Sequence, residues 1–273
     1  MEKFHKNNDI KDDARFIDYN LLKSSKSIDG EEARKVIASY LKYNIDLYND
    51  GERRAVVINF SKFVEHSYFP SIGYSQSYKG GRGVKATSFL DILDLVALRD
   101  NAEDIMKGNI FAPVLIENYG EDRNSDFLLM LMLPQISDYT LKVADNHGLQ
   151  KKEIMSEKWD ISTNKWIPYK ITLARFPGDI VFRLIVPNDI LTTGLPYNAH
   201  DFVYRYCLEI FNTKRTNNGQ KRYTQKRFKE YIKKNYHTNQ EYIKDIIAIM
   251  DDAQLSGYMT NMVANSELNR DKK

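Results

Sequence analysis

A single cysteine, Cys207, stands in a chain of 273 residues, so neither an internal disulfide nor a multi-cysteine zinc site can form. It sits among Phe202, Val203, Tyr206 and Ile210 at helical spacing, which places it in the core rather than at a reactive site. Histidine is nearly as scarce. His5, His66, His147, His200 and His237 never fall at HxH or HxxxH spacing, so the histidine zinc motifs are missing. His66, in a long loop, is the one histidine placed to act as an acid or base. No phosphate loop ends in Gly-Lys-Ser/Thr, and no GxSxG nucleophile elbow is present. Gly81, Gly83 and Ala86 have the spacing of a dinucleotide fingerprint, but no strand ends just before them. The N-terminal stretch lacks the apolar core of a signal peptide, and the apolar runs are strand-length or broken by charge. A cytoplasmic protein with no membrane segment is the expectation.

Net charge is also small, at +3, but its distribution is uneven. Residues 201–240 hold six Lys and four Arg against Asp201, Glu209 and Glu230, a local excess of +7 that leaves the remainder at −4. Such asymmetry points to an acidic partner, and nucleic acid is the common one. The abundance of Lys, Asn, Ile and Tyr is what an AT-rich coding sequence yields. It points to a bacterial or mobile-element source and to genome defence as a setting.

Periodicity divides the chain as follows. Residues 1–27 are polar and read as an arm or extended edge. Asp29 with Glu32 resembles a capping box, and Val36, Ile37, Tyr40, Leu41, Ile45 and Tyr48 give the following helix one apolar face, ended by Gly51. Ala55–Phe60 reads as a strand, and residues 61–86 form a long connection. A helix opens at Thr87 or Ser88 and closes at Gly108. Ile110–Ile116 reads as a buried strand, although Pro113 counts against a central position. Ser125 is expected to cap a helix running to about Asn146, kinked at Pro134. Lys158–Ile161 and Lys165–Pro168 flank Ser162-Thr163-Asn164 as a hairpin with paired tryptophans. Val181–Val186 reads as a further strand, and helices fill the rest.

The fold class expected from this order is α/β, with α+β as the alternative: a mixed β-sheet core with flanking helices over 28–195 and a helical basic region over 196–273, separate or part of the same domain.

Three segments carry chemistry. The glycine-rich loop from Tyr78 to Ser88 holds Lys79, Arg82 and Lys85 just before a helix, so backbone amides and basic side chains can receive phosphate there. The acidic turn from Glu117 to Asp126 groups carboxylates that repel one another unless a cation lies among them. Glu117, Asp122 and Asp126 are the candidate Mg²⁺ ligands, and with Lys85 the candidate catalytic residues. The bland alternative is helix capping and dipole complementation by the same turn. No Asp/Glu-x-Lys of the restriction-nuclease kind stands on a strand. In the basic segment Lys221, Arg222, Lys226 and Arg227 are candidates for holding a strand or duplex. Thr224 can cap a helix with Phe228, Tyr231, Ile232 and Tyr236 inward and Lys226, Lys229, Lys233 and Lys234 outward. A plain solvated helix face is the alternative.

The function expected from these signals is a metal-dependent phosphodiesterase acting on nucleic acid. The alternative is a non-catalytic DNA- or RNA-binding subunit of a larger complex. Both leave a protein partner or homo-oligomer open.

Overall fold

The computed structural model describes residues 15–63, 68–70, 85–109, 112–116, 119–195, 197, 199–258 and 260–261. In chain order the elements are β1 (Phe16–Ile17), α1 (Tyr19–Leu22), α2 (Gly30–Asn49), α3 (Arg53–Phe60), α4 (Ser88–Val96), α5 (Ala102–Met106), α6 (Ala112–Leu115), α7 (Glu121–Leu131) and α8 (Leu133–His147). They continue with β2 (Gln150–Asp160), β3 (Lys165–Arg175), β4 (Leu191–Thr192), α9 (Ala199–Asp201), a π-helical turn (Phe202–Cys207), α10 (Leu208–Asn217), α11 (Gln225–Asn235) and α12 (Asn239–Ile249). Residues 252–258 are helical as well. The class is mixed α and β, with helices predominating beside two small antiparallel sheets.

Local chemistry accounts for the best-formed elements. The Asp29 carboxylate accepts the Glu32 amide at 2.9 Å and opens α2, whose Val36, Ile37, Tyr40, Leu41 and Ile45 are buried. Gly108, at φ 64°, ends the stretch begun by α4. A Cβ there would lie 2.4 Å from the Tyr19 ring, so only glycine fits. In the β2–β3 hairpin Trp159 and Trp166 are directly opposed. Tyr40 of α2 meets both rings edge-on, at 5.0 and 5.9 Å, and seats the hairpin on the helices.

Several sequence expectations are corrected. Ala55–Phe60 is helical, within α3: Val56 and Phe60 are buried one turn apart, whereas Ile58 is 54% exposed. Phe60 stacks on Phe89 of α4 at 3.9 Å, and this packing overrides the β-branched composition. Residues 112–115 of the expected strand Ile110–Ile116 form α6, with Pro113 in its first turn, where a missing N–H costs nothing. Two of the expected strands are thus helical in their described residues, whereas the hairpin is formed. Ser125 is not a cap: Gly120 precedes α7, and Ser125 lies one turn inside it. Pro134 marks a break between two helices, in the first turn of α8. Val181–Val186 forms no strand and makes only the single bridge Ala174↔Arg183 among the described residues. Its other polar anchors include Leu184 N–H to Tyr68 O and Ile185 N–H to Thr140 Oγ1, both at 2.9 Å.

Of the N-terminal stretch, the described residues hold a two-residue edge strand and the short helix α1. Phe16 and Ile17 pair with Thr192 and Leu191, and both are fully buried. One apolar cluster runs from Phe16 through Phe127 to Phe228, Ile243 and Tyr258, so the C-terminal helices share the core of the preceding segment. A smaller cluster includes Tyr139, Val143, Ala174, Phe176 and Ile185. Among the described residues no helix is long and apolar enough to cross a membrane.

Candidate nucleic-acid interface

The basic segment folds into a helical hairpin whose turn is fixed by specific bonds. Asn218 is the C-cap of α10, and Gly219 takes φ 69° beyond it. The Gly219 N–H donates to Thr216 O at 2.9 Å and the Gln220 N–H to Arg215 O at 2.8 Å, the paired bonds of a Schellman ending. The turn then folds back onto α10. The buried Asn212 donates from Nδ2 to Tyr223 O at 3.0 Å and accepts the Tyr223 N–H at Oδ1 at 2.7 Å. Thr224 accepts the Arg227 amide at 3.3 Å and caps α11, as its position in the sequence indicates. Phe228 and Ile232 are buried and Tyr231 and Tyr236 half-buried, which is the inward face read from periodicity.

The outward face is cationic. Lys214, Lys221, Arg222, Lys226, Arg227, Lys229, Lys233 and Lys234 are all exposed. Arg222 pairs with Glu209 at 2.6 Å. Among the described residues no carboxylate pairs with the other seven. Lys214 lies in the last turn of α10, and Lys233 and Lys234 in that of α11, where the helix dipole favours positive charge. Arg215 is half-buried: its Nε donates to Lys221 O at 2.8 Å and its guanidinium lies 4.2 Å from the Tyr223 ring centre. The Arg227 guanidinium lies 4.6 Å from the same ring.

The other two segments are only partly described. Lys79, Arg82, Glu117 and His66 lie outside the described residues. Lys85 is exposed just before α4, and its carbonyl accepts the Ser88 amide at 2.8 Å. Asp122 and Asp126, both half-buried, fall on successive turns of α7, with Asp122 in the first turn. Phe89, in the first turn of α4, meets Tyr119 edge-on at 5.6 Å, so the helix after the glycine-rich loop abuts the acidic turn. Among the described residues no three His, Cys, Asp or Glu side chains gather closely enough to hold a metal ion.

Glu121 and Ser125 have a structural assignment that the sequence did not reveal. Glu121 Oε1 accepts the Leu195 amide at 2.7 Å. Burial pushes its carboxyl above the ordinary range, the Leu195 bond opposes that shift, and the neighbouring Asp122 adds to it. The Ser125 hydroxyl accepts the Ile17 amide at 2.9 Å and donates to Glu121 O at 3.1 Å. The first two turns of α7 therefore fasten two remote segments of chain. The Asn212 clamp was equally hidden, because an asparagine inside a helix carries no positional signal until its partner is known. Cys207 is buried, and burial raises its thiol far above the usual range.

A family model described as a domain of unknown function (DUF8370) matches residues 4–198. The chain belongs to the DUF8370 family. No curated protein and no solved structure matches it. The DUF8370 match takes in the glycine-rich loop and the acidic turn, and the basic hairpin follows it. The DUF8370 segment is tied to the helices that follow the hairpin. Arg99, within the DUF8370 segment, donates to Ile247 O at 2.7 Å and Met250 O at 2.8 Å, and pairs with Asp252 at 3.0 Å. Lys244 of α12 pairs with Asp91 of α4 at 2.8 Å.

Proposed function

We propose that this protein binds nucleic acid, with the α10–α11 hairpin as the surface that contacts phosphates. The observation that carries the reading is the run of exposed cations on a conformationally fixed hairpin, of which only Arg222 has a carboxylate partner among the described residues. Unneutralised lysines on a rigid support release counterions when they meet a polyanion, and that release drives association. Lys221, Arg222, Lys226 and Arg227 would make the central contacts, with Lys229, Lys233 and Lys234 extending them along α11. Such a binder would act in the cytoplasm, alone or as a subunit of a larger assembly. Fluorescence anisotropy with labelled DNA and RNA oligonucleotides tests this. The wild type should bind, and the Lys226→Glu/Lys229→Glu/Lys233→Glu variant should lose binding. Equal binding by both would remove the hairpin from the interface.

A second reading, a metal-dependent phosphodiesterase, is supported by the Phe89–Tyr119 contact, which sets the helix after the glycine-rich loop beside the acidic turn. Asp122 and Asp126, with Glu117, would hold Mg²⁺, and Lys79, Arg82 and Lys85 would face the phosphate. Incubation of labelled strands with Mg²⁺ or EDTA tests this reading. Metal-dependent cleavage lost in Asp122→Ala/Asp126→Ala would support it, and intact strands under both conditions would reject it.

A further inference from the structure

The surface of the hairpin is aromatic as well as basic. Phe211, Tyr223 and Tyr231 are each half-buried and form one group: Phe211 lies 5.3 Å from Tyr223 and 4.9 Å from Tyr231, and Tyr223 lies 6.3 Å from Tyr231. Two guanidiniums rest against the Tyr223 ring. They differ in how they are held. Arg215 is anchored by its bond to Lys221 O, whereas among the described residues no hydrogen bond or ion pair ties the exposed guanidinium of Arg227. The backbone under Tyr223 is pinned by Asn212, so the ring presents a fixed face with the Arg227 cation upon it.

A purine or pyrimidine ring has the same requirements as a guanidinium lying on tyrosine: a flat π face, and a cation nearby. A base can stack on the guanidinium plane of Arg227, which the Tyr223 ring backs, while the Arg227 fork reaches a phosphate oxygen. In a duplex the base faces are occupied by their neighbours, so only an unpaired base can reach this platform. The lysines of α11 fit the same picture. Lys226, Lys229 and Lys233 are point charges that follow a backbone and carry no fork for base edges. We propose that the ligand of this interface is single-stranded nucleic acid, with an unpaired base stacked on the Arg215–Tyr223–Arg227 group. The proposal rests on the nucleic-acid reading above and adds the class of strand to it.

The test compares a labelled oligothymidylate, an abasic strand of the same length and a duplex, by fluorescence anisotropy with the full chain. The wild type should prefer the oligothymidylate. Tyr223→Ala should weaken it by roughly tenfold, the usual scale of one base–aromatic stack, and leave the abasic strand and duplex within about twofold. Tyr223→Phe should restore binding, since the ring is what matters. Arg227→Gln, at an exposed side chain, provides a second variant that does not depend on the fold of the turn. It should weaken the oligothymidylate more than the abasic strand. Equal losses for all three ligands in Tyr223→Ala, or wild-type preference for the duplex, would overturn the proposal while leaving nucleic-acid binding intact. Failure of the wild type to bind any strand would instead overturn the nucleic-acid reading, and this proposal with it.

Discussion

Asn212 and Tyr223 are joined twice: the side-chain amide of the first donates to the carbonyl and accepts from the amide of the second, at 3.0 and 2.7 Å. One buried amide thereby fastens the turn between α10 and α11 that carries Lys221 and Arg222. Asn212→Ala removes both bonds and should cost about 1–3 kcal/mol, measured by chemical denaturation. Hydrogen exchange at residues 219–224 should accelerate, and strand affinity should fall although no cation is lost. Asn212→Asp keeps the acceptor but opposes the Tyr223 carbonyl with negative charge, so it should not rescue. Unchanged exchange in the turn of Asn212→Ala would show that other bonds hold it.

Residues 56, 58 and 60 distinguish helix from strand in α3. In a strand all three side chains share one face, while in a helix Val56 and Phe60 share a face and Ile58 points away. The observed exposures are 0%, 54% and 3%. Phe60→Ala should cost about 3–5 kcal/mol through the cavity left against Phe89 and Tyr40. Ile58→Thr should stay within about 0.5 kcal/mol. Thermal denaturation of the pair would contradict the helix if Ile58→Thr proved as costly as Phe60→Ala.

Glu121 should give stability a pH signature. Its folded pKa is raised by burial above the ordinary 4.5, so the folded chain holds this proton more tightly than the unfolded chain. Stability linked to it is present below the unfolded pKa and declines as pH rises through the folded pKa. Glu121→Gln keeps an oxygen for the Leu195 amide and never ionises. The variant should therefore match the wild type in acid and become the more stable protein as pH rises above the ordinary carboxylate range. Urea denaturation across that range checks it. A constant difference at every pH would place the ionisation of Glu121 outside the linkage.

Much of the fold is legible where the signal is local. Asp29 caps α2 through a partner three residues on, the tryptophan pair declares the β2–β3 hairpin, and Thr224 caps α11. The lysine face of α11 follows from spacing alone. The failures have a common cause. Ala55-Val56-Val57-Ile58 has a strand's composition, but Phe60 is captured by Phe89, nearly thirty positions away. Pro113 argued only against a central strand, when it also suits a first helical turn. Ser125 looked like a cap because nothing nearby shows that its hydroxyl serves Ile17. Of the candidate site, the charges were visible and the support was not: Asn212 and the two guanidiniums on Tyr223 exist only once the turn is closed.

Nucleic-acid binding by the α10–α11 hairpin, as proposed, rests on phosphate contacts, and the salt dependence of affinity tests it most directly. Dissociation constants for an oligothymidylate, taken by anisotropy between about 50 and 200 mM salt, should weaken steeply and linearly on logarithmic axes. The Lys226→Ala/Lys229→Ala/Lys233→Ala variant should show a slope shallower by about 2, near 0.7 for each lost phosphate contact. An affinity indifferent to salt, or the same slope in wild type and variant, would contradict the assignment of the interface to this hairpin.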